Sequence, residues 1–288
     1  PPCPGSSRPS GTLAPRRGRG HGPYTPPMRI LVTAAGRAIG HATCSALTAA
    51  GHEVIATARD VSMLEDLDVA LRLPLDVTDD ESVRAAVDAA GPVDGLVNNA
   101  ALGGTAPIEA YPIDRMRTMF ETNVLGALRT VQAVTPGMRE RGAGVIVNIS
   151  SVQGRVTSPL SGAYSASKHA LEALSEAMHL ELAHFGIRTV IIEPGFIAPG
   201  MKLPEDLPRP ALYEPLFAEW EGADTTLNVG GRPGPEIVAD AVVAAISDPA
   251  TPLRVPVGAD AEMILATRAS MGDAEFEATM RAVLGLSW

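Results

Sequence analysis

The stretch IVNISSVQGRVTSPLSGAYSASK, residues 146–168, decides how the rest of the chain is interpreted. It opens with an apolar, β-branched run that indicates a buried strand, and this run ends at Ser150 and Ser151. A loop with glycine and proline follows, and a helical segment then contains Tyr164 and Lys168. Tyrosine and lysine at positions i and i+4 lie on one helix face, about one turn apart. The sequence therefore predicts that strand, loop and helix bring Ser151, Tyr164 and Lys168 together.

These three side chains suit proton transfer to an oxygen atom. A phenol has an ordinary pKa of about 10, and a nearby ammonium lowers such a pKa by about 1–3 units. We therefore expect Lys168 to bring Tyr164 towards the range of a general acid and base, and Ser151 to donate a hydrogen bond to the substrate oxygen. Tyrosine and lysine also meet at this spacing by chance on solvated helices. Carbonyl–alcohol redox chemistry additionally requires a dinucleotide site elsewhere in the chain.

The composition excludes several classes of protein. The 288 residues are 45% hydrophobic and 19% charged, with a net charge of −10. All charged residues among 1–27 are arginines, so residues 28–288 carry a more negative net charge than the whole chain. Nucleic acid is therefore not expected as a partner. Cys3 and Cys44 predict neither a disulfide framework nor a metal site. No apolar run reaches the roughly 18–20 residues of a membrane span, which favours a cytoplasmic protein.

Residues 1–27 differ in kind from the remainder of the chain. They contain eight prolines and five glycines without the apolar core of a secretory signal, so we interpret them as a disordered extension that is not native or not folded. From Met28 onward, short apolar runs alternate with helical segments, which favours one α/β domain, residues 28–288, with a doubly wound parallel (Rossmann-like) sheet.

We place the elements of this domain by periodicity and by helix-start signals. Ser62 with Glu65, and Thr78 with Glu81, have the spacing of capping boxes and predict two helix starts. The segment that follows strand 187–193, up to about residue 233, is expected to be irregular. The predicted strands are 29–33, 53–58, 71–76, 93–99, 143–150, 187–193 and 253–257, and the predicted longer helices are 39–50, 112–141, 162–185 and 235–247.

The serine that stands thirteen residues before the tyrosine of Tyr-x-x-x-Lys resembles the single-domain short-chain dehydrogenase/reductase family, and residues 28–200 or so share the resemblance. It implies that Tyr164 is the general acid/base, that Lys168 holds the nicotinamide ribose, and that Ser151 polarises the carbonyl. Asn123, in ETNVLG, matches the asparagine that holds a water behind the lysine and extends the proton relay.

The turn TAAGRAIG, residues 33–40, follows the first strand and opens the first helix, where backbone N–H groups can face a pyrophosphate. The family motif is T-G-x-x-x-G-x-G, which Thr33 and Gly40 match, whereas Ala34 and Ala38 replace glycines. Alanine at a position with positive φ costs about 1 kcal/mol. The resemblance assigns the cofactor contacts of this turn to Thr33, Arg37, Ile39 and Gly40.

Later positions also match the family's cofactor site. Asp76 and Val77 match its adenine-contacting aspartate and the neighbouring residue, and Asn99 and Ala100 lie in NNAA, where the family has NNAG. In EPGFIAPGM, Pro199 replaces a threonine and so removes a hydroxyl and a backbone N–H donor. The matching residues of that segment, which lines the nicotinamide in the family, are Pro194, Gly195 and Ile197.

Charge favours NADP(H) over NAD(H). An acid at the end of the second strand would bind a ribose 2′-hydroxyl and repel a 2′-phosphate. Ala58 occupies that position, and Arg59 and Arg37 are suited to a phosphate, although Asp60 complicates this interpretation and either arginine could be a solvated surface residue.

The scarce aromatic residues cluster between 196 and 233, which we interpret as a substrate lid with an apolar lining or as a loop packed on the core.

Helix 162–185 has two apolar sides, and the side that does not face the sheet predicts a second packing partner. The family implies that this partner is another copy of the chain, in a homodimer or homotetramer through helices 112–141 and 162–185. We therefore expect an NADP(H)-dependent enzyme acting on a small to medium apolar ketone, aldehyde or alcohol. The alternative is a non-catalytic NADP-binding sensor on the same fold.

Overall fold

The computed structural model describes residues 26–227 and 231–288, which form seven parallel strands covered by helices. The strand order is β3-β2-β1-β4-β5-β6-β7, and every neighbouring pair is parallel. The predicted doubly wound α/β fold is confirmed. The strands are β1 (Arg29–Val32), β2 (Glu53–Ala58), β3 (Leu71–Pro74), β4 (Gly95–Asn98), β5 (Gly144–Ile149), β6 (Ile187–Pro194) and β7 (Arg254–Val257).

Nine α-helices occur in the described part of the chain. None of them is long and apolar enough to cross a membrane. They are α1 (Ala38–Ala49), α2 (Asp80–Ala90), α3 (Ile113–Phe120), α4 (Ala127–Arg141), α5 (Gly162–Leu182), α6 (Glu214–Leu227), α7 (Glu236–Ser247), α8 (Ala259–Ser270) and α9 (Asp273–Leu284).

The strands are buried on both faces, which explains why they are continuous apolar runs in the sequence. In β1, Ile30 and Val32 pack with side chains of α1 and α7, whereas Leu31 packs on the opposite face with side chains of α2, α4 and α5. Successive residues of a strand point to opposite faces, so one short run serves two cores. The strand order reverses between β1 and β4, and a crevice opens at the carboxyl ends beside such a switch point.

Buried side chains also tie the central strands together. The amide of Asn98, at the end of β4, donates to Asn148 Oδ1 of β5 at 2.9 Å, and Asn148 in turn donates to Ser175 Oγ of α5 at 2.8 Å. Thr130 Oγ1 of α4 donates to Asn98 Oδ1 at 2.6 Å. This polar chain fixes α4 and α5 against the ends of β4 and β5, which lead into the crevice.

Both predicted capping boxes are wrong in register. Asp60, and not Ser62, caps the short 3₁₀ turn Val61–Leu64, because its carboxylate accepts from Ser62 N at 3.0 Å. Asp79, and not Thr78, caps α2 by accepting from Glu81 N at 2.8 Å. In both cases an aspartate directly before the first helical residue acts as the N-cap in place of the predicted serine or threonine.

The long helix predicted over 112–141 is interrupted. A π-helical turn, Glu121–Gly126, separates α3 from α4 and contains Asn123. The segment predicted as irregular contains α6, while residues 228–230 of the proposed lid, and residues 1–25 of the proposed extension, lie outside the described residues. Phe185, the last residue of the segment predicted as helix 162–185, is exposed, and the Arg139 guanidinium lies 5.8 Å from the centre of its ring.

Candidate active site

A cleft of about 520 Å³ lies at the carboxyl ends of the strands, beside the switch point between β1 and β4. The turn after β1, the end of β2, the segments after β4 and β5, α5 and the segment after β6 all contribute to it. The sequence-predicted residues that line it are Arg37, Ile39, Arg59, Asn99, Ser151, Tyr164, Lys168, Pro194, Gly195 and Ile197. The predicted residues outside its lining are Thr33, Gly40, Asp76, Val77, Ala100 and Asn123.

Ser151, Tyr164 and Lys168 meet at one end of this cleft. Ser151 Oγ accepts from Gln153 N at 3.1 Å, which caps the short 3₁₀ turn Val152–Gly154, and Ser151 is the neighbour whose hydrogen bonding acts on the pKa of the Tyr164 hydroxyl. Lys168 is buried, and its Nζ donates to the carbonyl oxygen of Ile149, the last residue of β5, at 2.8 Å. The strand end, the capped turn and α5 therefore position the three side chains together.

The pKa values of this pair differ from the sequence-based expectation. Burial raises the pKa of Tyr164 to about 12, although the hydrogen bond with Ser151 acts in the opposite direction. Burial lowers the pKa of Lys168 to about 8, against the attraction of Glu172. The expected net lowering of the Tyr164 pKa is thus wrong for this structure, because desolvation outweighs the groups that favour the phenolate. The Lys168 ammonium is directed at the Ile149 carbonyl, 5.7 Å from the centre of the Tyr164 ring, and desolvation dominates.

Asn123 lies behind the cleft, in the π-helical turn. Its amide nitrogen donates to the carbonyl of Leu102 at 2.9 Å and to Ser167 Oγ at 3.0 Å, while its Oδ1 accepts from Leu102 N at 2.7 Å. Both donors of this side chain are therefore occupied. The two hydrogen bonds connect the segment after β4 with Ser167 of α5, the residue before Lys168, so the Asn123 side chain supports the site structurally. The role of Asn123 in a proton relay stays a prediction.

The turn after β1 adopts the left-handed backbone that the family motif reserves for glycine. Ala34 has a φ of 52° and Ala38 a φ of 45°, whereas Gly36 is not among the positive-φ residues. Both alanines line the cleft. Gly40 is needed for close packing, because a Cβ there would lie 2.6 Å from Asn99 Nδ2. Gly36 therefore does not take the left-handed backbone in place of the two alanines, and strain of about 1–2 kcal/mol resides at each alanine.

Thr33 and Asn99 fasten this turn to the end of β4. Thr33 Oγ1 accepts from Asn99 N at 2.9 Å and from Ala100 N at 3.1 Å. The Asn99 amide donates to the carbonyl oxygens of Thr33 and Ala34, each at 3.1 Å. Thr33 is fully buried and Ala100 is outside the lining of the cleft, so these two residues shape the turn from behind.

The opposite end of the cleft is positively charged. Arg37 and Arg59 both line it. Asp60 is occupied as a cap, since it accepts from the Ser62 hydroxyl at 2.7 Å as well as from the Ser62 amide, and these bonds hold its pKa below the ordinary value. The acid that complicated the choice of cofactor is therefore turned towards its own chain.

Asp76 and Val77 stabilise the loop after β3. Partial burial disfavours a charge on Asp76, but bonds from the amide and hydroxyl of Thr78, together with the nearby charge of Arg59, give it a lowered pKa. Val77 packs beneath the π-helical turn, where a Cβ at Gly126 would lie 2.7 Å from Val77 Cγ2. These contacts hold the wall of the cleft beside Arg59.

The segment after β6 brings in residues that the sequence did not identify. Phe196 N donates to Asp260 Oδ2 at 2.7 Å, and Gly195 N donates to the carbonyl of Val257 at 3.0 Å, so α8 fixes this segment. Asp260 could have been noticed as an acidic residue in the first turn of α8, but its spacing in the sequence does not connect it with the segment after β6. Gln153 is a further residue of the lining that the sequence did not identify, whereas Phe196, Lys202 and Arg232 belong to the segment 196–233 that we interpreted as a lid.

The site fits a nicotinamide dinucleotide. The turn at α1 offers backbone groups, two arginines stand at one end, and the Ser151–Tyr164–Lys168 set stands at the other. Among residues 26–227 and 231–288, no group of three or more His, Cys, Asp or Glu side chains is placed to hold a metal ion. The cleft is thus equipped for a phosphate-bearing organic cofactor and for proton transfer.

Comparison with known proteins agrees with this geometry. Residues 28–207 match the family model for short chain dehydrogenases. An uncharacterized oxidoreductase of Schizosaccharomyces pombe is 32% identical over 241 residues, which are 79% of this chain and 98% of that protein. A short-chain dehydrogenase from Streptomyces avermitilis superposes with a TM-score of 0.77 at 36% identity, covering 91% of this chain and 100% of that one. A short-chain dehydrogenase from Burkholderia cenocepacia, solved in complex with NADP, superposes with a TM-score of 0.72 at 28% identity. The match covers 90% of this chain and 97% of that one. The chain belongs to the short-chain dehydrogenase family and is an oxidoreductase of that family.

Proposed function

We propose that the protein is an NADP(H)-dependent oxidoreductase that interconverts a ketone or aldehyde and an alcohol on a small to medium apolar substrate. One observation supports this best: Tyr164, Ser151 and Lys168 share a single cleft with Arg37 and Arg59. Proton-transfer groups at one end and phosphate-binding cations at the other match the two requirements of such a reaction.

The residues divide the work as follows. A nicotinamide cofactor bound in the cleft supplies or accepts the hydride. Tyr164 donates its phenolic proton to the carbonyl oxygen during reduction and takes it back during oxidation. Ser151, whose hydrogen bonding already acts on that phenol, donates to the same substrate oxygen and orients it. The charge of Lys168 favours the phenolate that remains after the proton has left, and its ammonium is the group suited to the nicotinamide ribose.

The preference for NADP(H) rests on charge at the end of β2. Ala58 offers no acid to a ribose hydroxyl, Arg59 and Arg37 line the cleft, and Asp60 is occupied by Ser62. A guanidinium pairs with phosphate through two parallel N–H groups. The NADP complex of the related Burkholderia cenocepacia enzyme supports the same choice.

The substrate class rests on a second cavity of about 380 Å³. It shares Val152, Gln153 and Phe196 with the cleft, and its size is that of a site for a small organic molecule. Most of its wall is apolar and comes from α6, α8, α9 and the carboxyl-terminal segment. The apolar side chains of that wall beyond the shared ones include Val156, Leu216, Trp220, Ile264, Phe276, Met280, Leu284, Leu286 and Trp288.

The chain end closes this apolar chamber. The carboxylate of Glu219, on α6, accepts from Ser287 N at 2.9 Å and from Trp288 N at 3.2 Å. The Tyr213 and Trp288 rings lie 5.6 Å apart. The lid is accordingly built from α6 and the last residues of the chain together. An apolar substituent on the carbonyl carbon is the group that such a chamber suits.

Spectrophotometry tests this function. The protein is mixed with NADPH and a series of ketones and aldehydes of increasing apolar size, and with NADP⁺ and the matching alcohols, while absorbance of the reduced nicotinamide is recorded. We expect turnover that improves as an apolar substituent grows to fill the chamber. NADPH binding without turnover of any member of the series would favour a non-catalytic sensor, the second candidate, which the strained turn at Ala34 and Ala38 and the Pro199 substitution favour.

We also propose that two copies associate through α4 and α5. On α5, Ala166, Ala170 and Ala177 are half-buried and Ala173 is exposed, which leaves a small-residue side available for a second α5. Leu125, at the end of the π-helical turn before α4, is 42% exposed. Light scattering should give at least a dimer, and a monomer at micromolar concentration would contradict this.

A further inference from the structure

A partly buried cluster of charges near Lys168 lies outside the lining of the cleft. Arg254, on β7, donates from Nε to Glu172 Oε2 at 2.9 Å and from a terminal nitrogen to Glu176 Oε1 at 2.6 Å. The same Nε lies 3.5 Å from Glu193 Oε1, and Arg155 donates to that oxygen at 3.3 Å. The side chains of Glu172 and Glu193 are 5% and 1% exposed.

Glu172 is the member of this cluster next to Lys168. It follows Lys168 by four residues on α5, so the two side chains lie on one helix face. Its carboxylate is the acid whose charge acts on Lys168. From α5, the Tyr164 ring and the Glu172 carboxylate face that ammonium. The remaining charges reach it through Glu172: Arg254 from β7 pairs with Glu172 and lies near Glu193 of β6, which Arg155 from the turn after β5 also contacts.

One oxygen of Glu172 has no partner of its own. Among the described residues, Glu172 Oε1 is buried without a hydrogen bond, while Oε2 is held by Arg254. The 3₁₀ turn closes over it, since a Cβ at Gly154 would lie 2.8 Å from Glu172 Cγ and 3.1 Å from Oε1. A fixed carboxylate that is sealed from solvent exerts a stronger field than one exposed to water.

Above the Glu193 pKa of about 7, where all three carboxylates of the cluster are ionised, the charges balance only when Lys168 is included. Glu172, Glu176 and Glu193 carry three negative charges when ionised, and Arg155 and Arg254 carry two positive charges. The ammonium of Lys168 supplies the third positive charge. Buried charges persist where they are paired, so the carboxylate side of the cluster favours the protonated lysine.

We propose that Glu172 is a positioning residue for Lys168: its buried carboxylate, held by Arg254, keeps the Lys168 ammonium charged at the end of the cleft that contains Ser151 and Tyr164. This rests on the proposed function in so far as the charge of Lys168 serves Tyr164. Glu172 touches neither substrate nor cofactor and acts through Lys168 alone.

The titration of Lys168 can be observed directly, because the sequence contains two lysines, Lys168 and Lys202. Protein labelled with ¹³C-lysine gives one side-chain signal set for each, and Lys202→Arg assigns them. The signals are followed by NMR from about pH 6 to pH 11, a range that spans the ordinary lysine pKa. We expect Lys168 in the unaltered protein to titrate below the ordinary lysine pKa, since burial lowers its pKa to about 8.

Glu172→Gln keeps the shape of the side chain and removes its charge. We expect the Lys168 midpoint to fall by about one unit or more, and the Lys202 midpoint to stay where it was. Glu176→Gln is the matched control, because Glu176 binds the same Arg254 from an exposed position, 54% accessible. It should move Lys168 by less than about 0.3 units. A Lys168 midpoint that stays put or rises in Glu172→Gln would overturn the proposal.

A second variant covers the case in which Glu172→Gln does not fold. In Arg254→Gln, Glu172 loses its nearest cation, and a positive charge near Lys168 disappears, so the Lys168 midpoint should rise. An unchanged or lower midpoint overturns the proposal here as well. The titration needs no substrate, so it is independent of the turnover assay. If the Lys168 midpoint falls in Glu172→Gln but the protein turns over no carbonyl, the proposed reaction is refuted and the role of Glu172 is retained. If the protein turns over a carbonyl but the Lys168 midpoint does not fall in Glu172→Gln, the proposed reaction is retained and the role of Glu172 is refuted.

Discussion

Lys168 Nζ donates to the carbonyl oxygen of Ile149 at 2.8 Å and lies 5.7 Å from the centre of the Tyr164 ring. The bond ties α5 to the end of β5 and places a buried ammonium between the strand end and the phenol. Burial lowers the pKa of Lys168 to about 8 and raises that of Tyr164 to about 12. At neutral pH the phenol is therefore protonated, which is the form that donates a proton to a carbonyl oxygen.

Arg59→Asp should shift cofactor preference towards NAD(H). The change removes a partner of the 2′-phosphate and adds a charge that repels it. We expect the ratio of kcat/KM for NADPH over NADH to fall by at least about tenfold, since a charged hydrogen bond contributes about 1.5–3 kcal/mol. Arg84→Asp on the exposed side of α2 is the control and should leave the ratio unchanged. An unaltered protein that already prefers NADH would refute the assignment.

The double variant Ala34→Gly, Ala38→Gly should unfold at a higher denaturant concentration and bind NADPH up to about tenfold more tightly. Glycine relieves about 1–2 kcal/mol of strain at each positive φ, and two methyl groups leave the lining of the cleft. Ala42→Gly, within α1, is the control and should cost about 1 kcal/mol. Calorimetric titration that gives an equal or weaker affinity in the double variant would mean that the alanines are no handicap.

Sequence reasoning located the strands well because both faces of each are buried, so each reads as a continuous apolar run. Five strands were given ends one or two residues too far out, β2 was placed as observed, and β6 was placed one residue short. At the end of β1, the Thr33 hydroxyl binds the segment after β4, and the apolar pattern does not show this change. The π-helical turn at Asn123 was missed because the pattern over 112–141 stays helical across it. The charge cluster was missed for another reason. Glu193 lies in an apolar run, and only the folded sheet brings Arg254 and Arg155 to it.

Met280→Glu should weaken the use of apolar substrates. Met280 lines the apolar chamber from α9, and a carboxylate there loses water without gaining a partner. We expect kcat/KM for bulky apolar ketones to fall by about tenfold or more, with an unchanged dissociation constant for NADPH. Val283→Glu on the same helix, at a residue that is 44% exposed and outside the chamber, should have little effect. Equal losses in both variants would show that the chamber does not bind substrate.

Glu193 should make stability depend on pH. Burial and the neighbouring Glu172 raise its pKa to about 7, although Arg155 and Arg254 act in the opposite direction. Because the folded-state pKa exceeds the ordinary one of 4.5, the folded protein binds more protons in between, and stability falls as pH rises from about 4.5 to about 7. Glu193→Gln should therefore gain stability relative to the unaltered protein over that window. Urea unfolding at several pH values measures it, and the exposed Glu176→Gln should show no such trend.

The central claim is that Tyr164 transfers the proton, and the single-turnover or steady-state kcat of Tyr164→Phe tests it most directly. The variant keeps the ring and loses only the hydroxyl, so kcat should fall by at least about 100-fold while the NADPH dissociation constant is nearly unchanged. Tyr111→Phe, at a buried tyrosine outside the cleft, should retain activity. A Tyr164→Phe protein that keeps a substantial fraction of the original kcat would contradict the account.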